Sequence, residues 1–181
     1  MLITEYKPTW ISDFAAIRFA IETALPEIEY SIEHVGSTSV PQLAAKPIID
    51  LDIIYQQPAD FELIKSALEK LGYAHHGNQG IEDRDVFKRN GTYDHAILDT
   101  VKHHLYVCPI HSKALERHLL SRDYLRKNEW ARLVYQQLKY QLAEQANQDR
   151  KAYAALKEIQ VNPFIDSIIE KEKSNRITPV S

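Results

Sequence analysis

The sequence contains little cysteine, methionine or glycine and has no long uncharged apolar run. Among its 181 residues there are one cysteine, one methionine and five glycines. The single cysteine, Cys108, excludes an intrachain disulfide framework and indicates a reducing compartment. No segment approaches the ~18 uncharged apolar residues that span a bilayer. The first twenty residues contain Glu5 and Asp13 and lack the apolar core of a signal peptide. We therefore expect no cleaved leader and no membrane segment, and we predict a cytoplasmic protein.

The sequence also lacks a strong excess of either charge. Its net charge of −3 argues against a dedicated nucleic-acid-binding protein. The charges are nevertheless unevenly distributed, since residues 1–63 contain three basic and ten acidic residues, whereas residues 112–157 contain ten basic and five acidic ones. This asymmetry suits a cleft that holds metal ions on one wall and phosphates on the other. It equally suits two solvated faces that differ in charge.

The hydrophobic periodicity predicts an α+β fold. Apolar residues at helical spacing predict a helix from about residue 10 to residue 25 and another that begins at Asp60. Alternating or continuous apolar runs predict strands at 29–35, 47–55 and 103–108, with strand character near 86–87. We expect a mixed β-sheet flanked by helices over residues 1–110 and a helical segment over residues 111–181. The two parts should pack together as a single structural domain.

The helical segment has its own pattern from Ser112 onwards. A last helix should follow Pro163, and the polar tail from Lys171 should fray. The earlier part of the segment carries one apolar stripe at helical spacing, formed by Trp130, Leu133, Val134, Leu138 and Leu142.

Two acidic residues, Asp50 and Asp52, interrupt an otherwise apolar strand. They are two positions apart, so their side chains point to the same face of the strand. Neighbouring carboxylates in an apolar setting raise each other's pKa and resist desolvation. A divalent cation offsets that cost, and paired carboxylates facing a phosphate are the usual way of holding Mg²⁺. We identify both as candidate catalytic residues and Mg²⁺ ligands. The alternative is a structural pair at a strand end, satisfied by backbone amides.

A Gly-Ser turn precedes this strand. Gly36 allows the backbone to approach a ligand closely, and its neighbours, Ser37 among them, offer N–H groups and hydroxyls to phosphate oxygens. Ser37 and Asp50 are thirteen positions apart. A strand, a Gly-Ser turn and a second strand that bears Asp-x-Asp resemble the nucleotidyltransferase superfamily.

Longer motifs carry a closer resemblance. The string IEHVGSTSVPQLAAKPIIDLDI is followed by HHLYVCP, HLLSRDYLR, LAEQANQDRKAY and a terminal NPFI. Together they resemble the GrpB family of bacterial proteins, some of which are fused to dephospho-CoA kinase. The resemblance runs from Tyr6 to about Ile169 and implies a nucleotidyltransferase-like fold with an added helical segment. Gln42 stands where the family usually has glycine, and Tyr106 stands where it often has histidine.

Nucleotidyl transfer generally uses a third carboxylate on a neighbouring strand, and none is obvious here. Alternation along residues 103–108 places His104 on one face together with Tyr106 and Cys108. His104 is therefore a candidate catalytic residue, as a metal ligand or general base, because histidine is the side chain that ordinarily exchanges a proton near neutral pH. The alternative is a structural histidine bonded to the backbone. Lesser candidates for the third acid are Asp83, Asp85 and Asp99.

Basic side chains in the second half provide candidate phosphate ligands. Arg122 and Arg126 are four positions apart on a predicted helix and would form a double phosphate clamp, or simply a solvated face. Lys46, just before the Asp-x-Asp strand, is a further phosphate candidate.

These features predict a magnesium-dependent nucleotidyltransferase. It would transfer a nucleoside monophosphate group from a nucleoside triphosphate to a small acceptor. One alternative is a non-catalytic module that binds a nucleotide or metabolite on the same fold, and another is a metal-dependent hydrolase that uses the histidines.

Overall fold

The computed structural model describes residues 1–177, which form seven α-helices and five strands. The helices are α1 (Thr9–Glu22), α2 (Asp60–Lys70), α3 (Ala96–Thr100), α4 (Lys113–Lys127), α5 (Glu129–Gln145), α6 (Arg150–Gln160) and α7 (Asn162–Ile177). The strands are β1 (Tyr30–Val35), β2 (Ile49–Tyr55), β3 (Tyr73–His75), β4 (Asp85–Arg89) and β5 (His103–Pro109). Within residues 1–177, no helix is long and apolar enough to cross a membrane.

The strands form one mixed sheet in the order β1-β2-β5-β4-β3. β2 and β5 are parallel, and the other neighbouring pairs are antiparallel. The register places Asp50 beside His104 and Asp52 beside Tyr106. The α+β prediction, with a mixed sheet flanked by helices and further helices after it, is confirmed.

Side-chain alternation gives the two central strands an apolar face and a polar face. The apolar face packs against α1 and α2 and carries Ile49, Leu51, Ile53, Leu105 and Val107, all buried. The intervening positions, which include Asp50 and Asp52, lie on the opposite face because successive strand residues alternate. The strand pattern therefore positions both acids outside the main apolar core.

A second apolar core lies among the C-terminal helices. It combines buried residues of α4 to α7 with Leu2 and Ile3 near the N-terminus and with Val40, Leu43 and Ala44 in the loop between β1 and β2. The loop is tied to the N-terminal segment by paired backbone hydrogen bonds between Thr4 and Ala45, both 2.9 Å long. This core joins the loop that follows the Gly-Ser turn to the helices.

The expected fraying from Lys171 is wrong for the residues described, because α7 continues to Ile177. Glu172 is 1% exposed and accepts hydrogen bonds from Lys127 Nζ at 2.6 Å and from Arg176 Nε at 3.2 Å. Ion pairs to α4 and within α7 thus stabilise the last turns of α7, which contain few apolar residues. The remainder of the predicted tail, residues 178–181, lies outside the described residues.

Only part of the apolar stripe of α5 packs inward, since Leu142 is buried but three other members are exposed. Trp130, Leu133 and Val134 are 48%, 55% and 43% exposed. The buried positions of α5 are Leu142 together with Ala131, Tyr135, Lys139 and Ala143, which lie outside the stripe. Small, amphipathic and even charged side chains line this interface, so a count of strongly apolar residues selects the wrong face.

Candidate active site

A cavity of about 860 Å³ lies between the polar face of the sheet and the C-terminal helices. Its lining brings together six of the residues predicted from the sequence, namely Gly36, Ser37, Lys46, Asp50, His104 and Arg122. Asp52 has no exposed surface and lies behind the wall. Arg126 lines a separate, smaller pocket with Pro41, Gln42 and Arg132.

Asp50 and His104 form the first carboxylate–histidine pair in the cavity. His104 Nδ1 donates a hydrogen bond of 2.8 Å to Asp50 Oδ1. The two residues lie on adjacent parallel strands at the same level, which explains why they meet. The imidazole orients the carboxylate by engaging one oxygen, so the other remains available to a ligand.

Asp52 forms a second pair with a histidine from α4. His118 Nδ1 donates a hydrogen bond of 2.7 Å to Asp52 Oδ2. Asp52 Oδ1 is buried and has no hydrogen-bond partner among residues 1–177. An unsatisfied buried oxygen costs about 1–3 kcal/mol, and more when it is charged. Its presence calls for an explanation such as an ion.

His118 was missed by the sequence reasoning, although a signal for it exists. It begins the motif HLLSRDYLR and precedes Arg122 by four positions and Arg126 by eight. Residues at this spacing share one face of a helix, so the face that carries the predicted arginines also carries the histidine.

The donor set around Asp50 and Asp52 fits Mg²⁺. This ion is usually bound by one or two carboxylates together with water and substrate phosphates. The orphaned Asp52 Oδ1 is the observation that indicates such an ion. No group of three or more His, Cys, Asp or Glu side chains in the described part of the chain is arranged to hold a metal by itself. Further ligands would therefore have to come from the substrate and from water.

The Gly-Ser turn lies directly against Asp50. Gly36 has φ 69°, in the left-handed region that favours glycine. A Cβ at this position would be 2.2 Å from Asp50 Oδ2. Ser37 begins a short 3-10 turn, Ser37–Ser39, which the Ser39 hydroxyl closes by donating to Gly36 O at 2.6 Å. Glycine thus lets the turn and the carboxylate share one corner of the cavity.

The side chain of His34 forms a hydrogen bond with this turn. Its Nε2 shares a hydrogen bond of 3.0 Å with Thr38 Oγ1, which in turn donates to Ile48 O at 3.3 Å. The His34 ring stacks on Phe14, with centroids 4.6 Å apart. Burial lowers the pKa of His34 to about 4, so the ring is neutral at physiological pH.

Both predicted clamp arginines are engaged by protein acceptors. Arg122 donates from Nη1 to Glu33 Oε2 at 2.5 Å and to His34 O at 3.1 Å, and from Nε to Asp123 Oδ1 at 2.8 Å. Arg126 donates from Nε and Nη2 to Ser39 O, at 3.0 and 2.8 Å. The two guanidinium groups fix the end of β1 and the turn, and their role as phosphate ligands stays a prediction.

Three lysines that line the cavity come from different elements, Lys46 from the loop before β2, Lys139 from α5 and Lys157 from α6. Lys139 is 2% exposed, donates from Nζ to Ala44 O and lies 4.4 Å from the centroid of the Tyr135 ring. Burial lowers the pKa of its ammonium group well below the usual range. Lys46 lies 4.1 Å from the centroid of the Tyr153 ring. Burial, followed by Lys157, lowers the pKa of Lys46.

Lys157 is the third of these lysines, and its pKa is raised rather than lowered. The neighbouring Tyr135 hydroxyl is the main cause that raises the pKa of Lys157, with smaller contributions from Tyr153 and Asp50. Sequence reasoning singled out Lys46 alone. Lys139 and Lys157 were missed because isolated lysines on helices usually lie on solvated faces.

The three lesser candidates for a third carboxylate are not brought to the Asp pair. Asp85 accepts from His75 Nε2 at 2.6 Å, and Asp99 accepts from Arg89 Nε at 2.8 Å. Asp83 is exposed. None of the three lines the cavity, whose β5 wall instead presents His104 and Tyr106.

Sequence comparison identifies relatives over most of the chain. A family model described as "GrpB protein" matches residues 1–171. A UPF0157 protein of Pseudomonas aeruginosa is 37% identical over 147 residues, which are 81% of this chain and 58% of that protein. The glutamate-rich protein GrpB of Alkalihalophilus pseudofirmus is 27% identical over 172 residues, which are 94% and 95% of the two chains. The matched region is 33% of the YqkA protein of Bacillus subtilis, so this chain spans only part of some relatives.

Structure comparison gives two kinds of neighbour. The crystal structure of the conserved protein GrpB from Enterococcus faecalis has a TM-score of 0.79 and 30% identity, and the match covers 97% of this chain and 99% of that one. The Cid1 poly(U) polymerase bound to MgATP has a TM-score of 0.57 at 12% identity. That match covers 80% of this chain and 45% of the polymerase, and it shows a shared nucleotidyltransferase-like fold.

Proposed function

Because this chain belongs to the GrpB family and has a nucleotidyltransferase-like fold, we propose that it is a magnesium-dependent nucleotidyltransferase. It transfers a nucleoside monophosphate group from a nucleoside triphosphate to a small acceptor. One observation carries the proposal: the cavity is lined by Asp50 and by lysines that lack a carboxylate partner within residues 1–177, and buried Asp52, two positions along the same strand, has an orphaned oxygen. A metal–triphosphate complex is complementary to both walls.

Asp50 and Asp52 are the residues that hold the metal. When bound, Mg²⁺ supplies charge neutralisation and Lewis-acid activation of phosphoryl oxygens. His104 and His118 each engage one oxygen of a carboxylate and thereby fix its orientation. Such outer partners commonly fix the geometry of the ligands they contact.

The phosphates lie between the Gly-Ser turn and the lysines. Gly36 and Ser37 present backbone N–H groups and a hydroxyl, and Lys46, Lys139 and Lys157 supply positive charge. The acceptor oxygen forms a bond to the α-phosphorus while the bond to pyrophosphate breaks in line with it. The acidic wall and the basic wall thus hold opposite sides of one substrate.

A thermal-shift titration tests the proposal. ATP, GTP, CTP and UTP are each added with and without magnesium, because bound ligand stabilises the fold by RT ln(1 + [L]/Kd). Stabilisation should require magnesium and should disappear in the double variant Asp50→Asn/Asp52→Asn. Asp94→Asn, which changes an exposed carboxylate that does not line the cavity, is the control and should respond like the unmodified protein.

Pyrophosphate release in the presence of pooled small metabolites then measures turnover. Transfer predicts release that depends on both magnesium and acceptor. No triphosphate binding by the unmodified protein, or equal binding by the double variant, would overturn the proposal.

A second candidate function is nucleotide binding without transfer. It is favoured by β5, which carries His104 and Tyr106 beside the acid pair where a third carboxylate is generally used. Magnesium-dependent binding with no pyrophosphate release from any acceptor pool would select this function.

A further inference from the structure

Arg84 is a cavity-lining cation to which the proposed chemistry assigns no role. It precedes β4, and its guanidinium carbon lies 4.5 Å from the centroid of the Tyr106 ring. Its Nε is buried and has no hydrogen-bond partner within residues 1–177. Glu82, Asp83 and Asp85 flank it in the chain, yet among the residues described none forms an ion pair with it.

The other arginines that line the cavity, unlike Arg84, form ion pairs with carboxylates in the described part of the chain. Arg117 is paired with Asp166, and Arg122 is paired with Glu33 and Asp123. A guanidinium group has five donors in a planar arrangement that matches carboxylate and phosphate. A buried donor without an acceptor is costly, and the residue that carries this donor lines the ligand cavity.

The position of Arg84 in the sheet suggests which ligand it contacts. The Gly-Ser turn follows β1, the Asp pair lies on β2, Tyr106 lies on β5 and Arg84 precedes β4. The turn and Arg84 are therefore on opposite sides of the Asp pair across the sheet. In an in-line displacement, the acceptor approaches the α-phosphorus from the side opposite the leaving pyrophosphate. With the phosphates at the turn, the acceptor lies over β5 and β4.

We propose that the acceptor is an anionic small molecule whose carboxylate or phosphate group is bound by Arg84 on the Tyr106 ring. This inference rests on the proposed function and specifies its substrate class. Tyr106 serves as an aromatic surface beneath the guanidinium, an arrangement that favours a desolvated cation.

Isothermal titration calorimetry with three probes tests the assignment. The probes are inorganic phosphate, succinate and the uncharged succinamide, titrated into the full chain with and without Mg·ATP. Arg84→Gln should weaken the binding of the anions by about tenfold or more, because charge-assisted hydrogen bonds are lost. Arg84→Lys keeps the positive charge and should therefore retain part of the affinity for the anions. Affinity for Mg·ATP should stay within about twofold.

Arg117→Gln is the matched control, because it removes the same charge from the same cavity at a residue with its own carboxylate partner. One outcome is that the unmodified protein binds phosphate and not succinate, or succinate and not phosphate. If Arg84→Gln loses that binding, the result identifies the acidic group of the acceptor. The assignment is overturned if neither anion binds the unmodified protein, if Arg84→Gln binds both unchanged, if succinamide binds equally well, or if Arg117→Gln loses as much.

The two proposals fail separately in this design. Absence of Mg·ATP binding refutes the nucleotidyltransferase, whereas the titrations without nucleotide still report on Arg84. Arg84 lies in a loop outside the strands, forms no ion pair with any described residue and contacts the Tyr106 ring, so we expect its replacement to leave the fold intact, which thermal unfolding of the variant checks.

Discussion

Replacing Lys139 by methionine should stabilise the protein and weaken its affinity for triphosphate. Methionine is unbranched, close to lysine in volume and apolar, so it fills the same space between α5 and the loop. The change removes an ammonium group that is 2% exposed and has no carboxylate partner in the part of the chain described. It also removes the hydrogen bond that Lys139 donates to Ala44 O.

The magnitude follows from these two opposing effects. Losing the partner of one buried carbonyl costs about 1 kcal/mol. Burying an ion costs several kcal/mol, and apolar replacement of buried ionic groups is neutral or stabilising by about 1–4 kcal/mol. We expect a net gain of about 1–3 kcal/mol at pH 7, and each kcal/mol raises the Tm of a chain of this size by about 2–4 °C.

The same variant should change how stability depends on pH. Burial lowers the pKa of Lys139 in the folded state, so between that value and about 10.4 the unfolded state binds more protons. Stability of the unmodified protein therefore rises with pH through this window. Lys139→Met should flatten the rise, whereas Lys151→Met, a change at an exposed lysine of α6, should not.

Differential scanning calorimetry at several pH values, followed by Mg·ATP titration, measures both effects. Affinity for the triphosphate should fall by about tenfold or more, because one charge-assisted contact is lost. The reasoning is refuted if Lys139→Met is less stable by more than about 1 kcal/mol and keeps the original pH dependence. That result would mean that the lysine serves the fold through its hydrogen bond.

The remaining predictions concern the acid pair, the turn and the buried histidine. Asp52→Asn should leave the free energy of unfolding in urea unchanged or raise it by about 1–3 kcal/mol and abolish stabilisation by Mg·ATP, whereas a clear loss of stability would make the carboxylate structural. Gly36→Ala forces a Cβ to within 2.2 Å of Asp50 Oδ2 at φ 69°, so urea unfolding should show a loss of about 1–3 kcal/mol together with weaker nucleotide binding; unchanged values would contradict the close approach. The pKa of His34 is lowered from 6.5 to about 4, so the unfolded state binds the extra proton and stability should decline as the pH falls through this interval. His34→Gln should flatten that decline in thermal unfolding, and an identical decline would argue against the assignment.

The sheet and its polar face could be predicted because their signals are local. Alternation with period two places Asp50 and Asp52 together whatever else the chain does, and the same rule puts His104 and Tyr106 on one face of β5. The Gly-Ser turn is equally local, since its φ requirement is met by the glycine itself.

The helical wall could not be predicted in the same way. The roles of His118, Lys139 and Lys157 depend on how α4, α5 and α6 dock over the sheet, and this is decided by contacts far apart in sequence. Helical spacing identifies which residues share a face, but not which face is buried when apolar residues lie on both. Trp130 illustrates this ambiguity, because it is exposed while Ala131 beside it is buried.

The placement of the two acids on β2 also constrains how the chain can misfold. A shift of β2 by one residue against β1 or β5 would exchange its two faces. Asp50 and Asp52 would then replace Leu51 and Ile53 among the apolar side chains of α1 and α2, at a cost of several kcal/mol for each buried carboxylate. The two acids therefore disfavour any pairing in which β2 is shifted by an odd number of residues. A chain with apolar residues at both positions would lose that selectivity even if its correctly folded form became more stable.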